Sequence, residues 1–152
     1  MSGDQTPFMF YAVGLSYLDA ADHLTASLAG PPYKLRLAFD EPVRHLYAHA
    51  WEMFQKACLF QQGMTPIEIK QQFGHWLVKA WEKIDRSRFS DLQLDDASRE
   101  YAEWLDHFHP TKEYAYPYTG YKVELSLEQL RDGLKRFRIA RDVQLRLFSH
   151  SY

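Results

Sequence analysis

Several sets of side chains in this 152-residue chain have the type and spacing to do chemistry. Arg44 and His49 form an Arg-x4-His pair, in which an imidazole can move a proton while a guanidinium takes up developing phosphate charge. In such a pair His49 could work on a ribose 2′-hydroxyl or a leaving oxygen while Arg44 faces the phosphate. Five positions along a helix turn it by about 140°, so within one chain the two side chains point apart. About one Arg-His pair at such spacings is expected by chance in a chain of this composition. The plain alternative is two surface side chains on opposite flanks of a core helix.

A second set is Glu41, His45, His49 and Glu52, which recur at helical spacing along one face. Two His at i and i+4 can grip a divalent metal, but Leu46 follows His45, so the His-Glu pair of zinc proteases is missing. Further ligands would have to come from elsewhere, with His107 and His109 as candidates. The better reading is a solvated polar face on which Glu52 and Lys56 pair at i,i+4, with no metal. His75, between Gly74 and the apolar start of a helix, is placed to cap exposed amides or to bind an anion. Arg131, Lys135 and Arg138 share one face of a continuous final helix and are candidate phosphate contacts. No Gly-x-Gly-x-x-Gly or Walker-type loop is present, and no cofactor is implied.

The elements that must position these groups are helical throughout, because apolar residues recur at three- and four-residue spacing and strand-like alternation is nearly absent. The spacing predicts a first helix over Phe8–Leu28, stopped by Gly30-Pro31-Pro32. A second runs from Asp40 to Gly63 with Pro42 in its first turn, burying Val43, Leu46, Tyr47, Ala50, Phe54, Ala57 and Cys58. Thr65-Pro66-Ile67-Glu68 is a capping box opening a short helix to Phe73-Gly74. A further helix runs from His75 to about Asp85, and Asp95-Asp96 caps another containing Tyr101, Trp104, Leu105 and Phe108. Ser126-Leu127-Glu128-Gln129 is a second capping box. It opens the final helix, which turns Leu127, Leu130, Leu134, Phe137, Leu145 and Phe148 inward.

Composition bounds the rest. At 46% apolar and 25% charged, the chain is long enough for one packed domain over residues 1–152 without disulfides or a structural metal. The formal charge of -2 excludes the basic field of a dedicated nucleic-acid coat protein, although residues 126–152 carry an excess of basic side chains. Cys58, the single cysteine, excludes an internal disulfide and fits a reducing compartment. The apolar start, Phe8 to Leu18, is too short to span a bilayer, so a cytoplasmic protein is expected. Aromatic residues make up 16% of the chain. Phe8, Tyr11, Tyr47, Phe54, Trp104 and Phe137 fit the inward stripes, whereas Trp51, Phe60 and the aromatic segment Tyr114–Tyr121, with Tyr116 and Tyr118, lie off them and suggest a subunit interface or binding rim.

The run His49-Ala50-Trp51-Glu52-Met53-Phe54-Gln55-Lys56-Ala57-Cys58-Leu59, then Gly63, then Phe73-Gly74-His75-Trp76-Leu77, resembles the HEPN superfamily. Similar sequences carry Glu and Lys four residues apart, a Gly-containing linker and a Gly-His pair opening the next helix. Tyr116-Pro117 matches the aromatic-Pro element that many of them have before the last helix. The resemblance spans about residues 40–147. It implies an antiparallel, up-and-down bundle of four to five main helices plus short ones, acting as a homodimer. It also implies either a non-catalytic binding module for RNA or a nucleotide-containing partner, or a metal-independent, toxin-type endoribonuclease using Arg44 and His49 across the dimer. A structural or regulatory domain paired with a nucleotidyltransferase-like protein is a third possibility. Glu113-Tyr114-Ala115 precedes Tyr116, so the Arg that often stands before this element in similar sequences is missing, which favours binding over cleavage.

Overall fold

The computed structural model describes residues 5–28, 33–106 and 125–148, and all regular structure among them is helical. Two long helices, α1 (Pro7–Ser27) and α2 (Tyr33–Gln61), carry five short ones: α3 (Pro66–Phe73), α4 (Leu77–Lys83), α5 (Asp96–Asp106), α6 (Leu127–Leu134) and α7 (Arg141–Phe148). Short 3-10 segments cover Arg86–Leu92 and Lys135–Phe137. Among the described residues no helix is long and apolar enough to cross a membrane.

Local chemistry sets the helix starts. The Thr6 hydroxyl takes the Met9 amide ahead of Pro7. Thr65 with Glu68 and Ser126 with Gln129 close the two capping boxes that the sequence predicts. Helix α2 departs from expectation. It begins at Tyr33 rather than Asp40, and Pro42 lies inside it. Proline within a helix leaves one carbonyl a turn earlier without its amide, and the Asp40–Arg44 ion pair (3.6 Å) brackets Pro42.

Helices α1 and α2 run antiparallel, since Phe10 meets Phe60, Tyr11 meets Phe54, and the Thr25 and Tyr47 hydroxyls share a 2.8 Å hydrogen bond. They approach closely at Gly14, where an added Cβ would lie 2.7 Å from the Phe54 ring. Helices α4 and α5 form a second antiparallel pair, tied by the Trp81 indole donating to Ser98 (2.8 Å) and by the Asp106 carboxylate accepting from the Leu77 amide (2.7 Å).

The core is a ladder of rings. Phe54 stacks on Phe137 at 4.2 Å and packs on Tyr11 at 5.4 Å, and Tyr11 stacks on Phe148 at 4.9 Å. This ladder explains why the predicted continuous final helix is broken. Eleven residues of helix would separate Phe137 from Phe148 by about 16 Å along the axis. Breaking at Arg138–Ala140 lets both rings flank the Tyr11–Phe54 pair, and the Tyr11 hydroxyl donates to the Phe137 carbonyl freed by the break (2.5 Å).

Three inward or outward assignments change with it. Trp51 and Phe60, expected at an interface or rim, are buried, with Trp51 stacked on Tyr101 and edge-on to Phe137. Leu145, expected inside, is 45% exposed, because the break rotates α7 relative to α6. The aromatic segment Tyr114–Tyr121, with Tyr116, Pro117 and Tyr118, lies outside the described residues.

Phe54 is held by rings on both sides, so it has no room to yield at the α1–α2 crossing. Replacing Gly14 by Ala is expected to lower stability by about 1–3 kcal/mol in urea unfolding; a variant as stable as wild type would mean that the helices can separate there at little cost.

Candidate functional site

Glu52 lies on α2 next to Trp51, with only 4% of its surface exposed. The sequence reading of a solvated face is therefore corrected: helices α1 and α4 and the α3–α4 turn close over this part of α2. A charge removed from water needs partners, and Glu52 has them. Lys56 Nζ donates to Oε2 at 2.6 Å, one turn along the same helix, as expected. His75 Nδ1 lies 3.0 and 3.1 Å from the two carboxylate oxygens, and His49 Nδ1 stands 4.0 Å away. Burial pushes the Glu52 carboxyl up, but hydrogen bonds and charges from Lys56 and His75 outweigh it and hold the group below its ordinary value. Burial also pushes the His49 imidazole down, against the pull of Glu52.

His75 thus does not cap α4. The first amides of that helix, Leu77 and Val78, donate instead to the Asp106 carboxylate at 2.7 and 3.1 Å. The imidazole is directed to Glu52 by the turn at Gly74, whose φ of +54° suits glycine. The turn starts where the Gly74 amide closes onto the Lys70 carbonyl (3.0 Å), which sets Lys70 and His75 on either side of it.

Lys56, Lys70 and His75 then line one cleft of about 370 Å³, with Phe10, Pro66, Ile69 and Gly74 supplying the rest of its wall. Four pieces of chain build it: α1, α2, α3 and the α3–α4 turn. Glu52 stands behind the cleft and compensates Lys56, while Lys70 is exposed and enters no ion pair among the described residues. The lining therefore combines the polar ends of Lys56, Lys70 and His75 with apolar side chains. Its setting after Gly74 singles out His75, and helical spacing marks Lys56 only as the partner of Glu52. Lys70 and Phe10 carried no signal of their own, because a turn and a helix crossing bring them in.

The other predicted groups are not drawn together. Arg44, expected on the surface, is 8% exposed. Its guanidinium donates to the Leu125 carbonyl, pairs with Asp40 and sits 4.9 Å from the Trp104 ring centre. His49 faces the opposite neighbour, stacking on Tyr17 of α1 at 5.4 Å. Arg44 and His49 thus point to different sides of α2. Glu41 reaches His45 (3.8 Å), and no group of three or more His, Cys, Asp or Glu among the described residues is placed to hold a metal. His107 and His109 lie outside the described residues. Cys58 is fully buried, and burial pushes its thiol well up, as befits a small core residue.

The basic face expected on the final helix is corrected as well. The break at Arg138–Ala140 takes Arg138 out of the helical register, Arg131 and Lys135 both pair with Asp132 (3.4 and 3.3 Å), and Arg138 bridges Asp19 and Asp22 of α1 (2.9 and 2.8 Å). These cations brace helices or offset nearby carboxylates. No family model, curated protein or solved structure matches the chain.

A carboxyl held below its ordinary value stabilises the fold above the unfolded value and loses that contribution as pH falls through the folded one. Glu52→Gln is therefore expected to cost about 1–3 kcal/mol near neutral pH. The gap from wild type should begin to narrow as pH falls below the ordinary carboxylate range and close as the folded carboxyl takes up its proton. Urea unfolding across that range checks it, and a gap independent of pH would assign the loss to packing alone.

Proposed function

We propose that this chain is a HEPN-like helical bundle that serves as a non-catalytic binding module for RNA or a nucleotide-containing partner, working as a homodimer. The observation that carries the reading is the cleft where Lys56, Lys70 and His75 meet the apolar side chains of Phe10, Pro66 and Ile69. Anionic ligands with a flat apolar part suit that combination of polar donors and apolar side chains. Binding at this cleft accounts for Lys70, an exposed cation with no carboxylate among the described residues, better than fold stability does.

The resemblance in the sequence passes through the same residues. Its Glu-Lys spacing is Glu52–Lys56 and its Gly-His pair is Gly74-His75, which stand together here around one carboxylate. Association into a dimer is part of that resemblance, and the outer side of α1, where Met9 and Val13 stand exposed one turn apart, supports it. Binding without cleavage is favoured because the Arg44 guanidinium is engaged by Leu125, Asp40 and Trp104 on the far side of α2 from His49.

Fluorescence titration of a short labelled RNA over a salt series separates the two cationic regions. Lys70→Ala is expected to weaken binding by about three- to tenfold and to flatten the salt dependence. The triple change Arg131→Ala, Lys135→Ala, Arg138→Ala should leave affinity within about twofold once the folded fraction is matched. The reverse ranking would move the site to the last third of the chain.

A further inference from the structure

We propose that the outer face of α1 is where two copies of this chain meet, packed antiparallel about a two-fold axis beside Ser16. This rests on the homodimer part of the reading above and names its interface.

The composition of the face is the first argument. Met9, Val13, Ser16, Ala20, Leu24 and Ser27 recur at three- and four-residue spacing along the side of α1 turned away from the core, and all six are exposed. This row carries no carboxylate, ammonium or guanidinium, although a quarter of the chain is charged, and His23 borders it. The acidic residues of α1, Asp19 and Asp22, are taken up by Arg138 (2.9 and 2.8 Å). The two serines of the row are satisfied within the helix: the Ser16 hydroxyl donates to the Ala12 carbonyl (3.2 Å) and the Ser27 hydroxyl to the His23 carbonyl (3.0 Å). Covering the face therefore strands no charge and no hydroxyl.

The match to a second copy is the second argument. A charged or hydrogen-bonding occupant would leave its own polar groups unpaired against this row, so the occupant must be uncharged as well. Among the described residues the other exposed large apolar side chains, Ile67, Trp76 and Leu145, stand one to an element, and only α1 carries three along one face. Antiparallel packing sets Met9 against Leu24 and Val13 against Ala20 of the second copy. Bulk then lies at the ends, and the small residue Ser16 lets the backbones approach at the crossing. The same packing keeps Asp19 and Asp22 of the two copies apart, whereas parallel packing would set them side by side. The row is about 27 Å long and one helix, about 10–12 Å, wide. That falls short of a permanent interface and makes the association weak, with a dissociation constant on the order of 100 μM.

Sedimentation equilibrium on the intact protein up to millimolar concentration tests this. Val13→Glu and Ala20→Glu, each made alone, are expected to weaken the dimer at least about tenfold, because each places two carboxylates in the interface. Both positions are exposed, and an unchanged circular dichroism spectrum verifies that the fold is kept. Ser16→Cys should cross-link through a short bis-maleimide, and Lys79→Cys, exposed on α4, should not; Cys58 is fully buried and stays silent. A dimer that tolerates both glutamates, or that cross-links at Lys79→Cys and not at Ser16→Cys, would overturn this interface and leave the homodimer reading intact. Monomers at every concentration would overturn both. A wild-type monomer that floats with phosphatidylcholine vesicles, while Val13→Glu does not, would assign the face to lipid and overturn the proposal too.

Discussion

A carboxylate shut away from water cannot stay charged unless donors come with it, and that constraint organises the middle of this molecule. Glu52 stands on the same helix as Trp51 and Phe54, so the helix that builds the core also carries a buried acid. Lys56 answers from the same helix. His75 answers from a turn that is distant in sequence, and its arrival fixes where α3 ends and α4 begins. The electrostatic requirement of one side chain thus becomes a tertiary constraint. Removing either partner would leave the acid buried with less compensation, a costlier change than trimming an exposed pair.

The second organising element is the ring ladder, and it decides the shape of the C-terminal third. Phe137 and Phe148 are eleven positions apart and would suit a single straight helix, yet both are needed around the Tyr11–Phe54 pair. The backbone gives up helical hydrogen bonds at Arg138–Ala140 to place them. Recovered partners offset the loss: the Tyr11 hydroxyl takes the Phe137 carbonyl, and the Gln144 amide takes the Ile139 carbonyl (2.9 Å). Arg138, at the break, is turned toward α1 and spans Asp19 and Asp22.

What could be read from the sequence follows from the range of the interactions involved. Capping boxes at Thr65 and Ser126 were legible because donor and acceptor lie within four residues. The α2 stripe from Val43 to Cys58 was legible because one helix face meets one core. The burial of Glu52 and Trp51 was not, since it depends on how many neighbours surround α2, and a helix covered on most sides has no polar back. The start of α2 was misplaced because Pro42 marks a first turn in isolation, whereas packing here tolerates it inside. At the site, His75 was visible from its setting after Gly74 but was given the wrong partner. Asp106, which takes the α4 amides, comes from another helix, and no local pattern announces it.

The cleft joins parts of unequal local stability. Its α2 wall belongs to the helix that touches nearly every other element, and such a segment opens only when the whole molecule does. Its α3 wall is eight residues long, with Ile67 68% exposed, and short helices with few buried side chains open on their own at a fraction of the global cost. An anion gripped by Lys56 on one side and Lys70 on the other would therefore act as a cross-link between a permanent and a transient part. Occupancy would slow amide exchange in α3 and its following turn while leaving α2 unchanged, so the first trace of a bound ligand is a local loss of breathing rather than a shift in the unfolding of the whole.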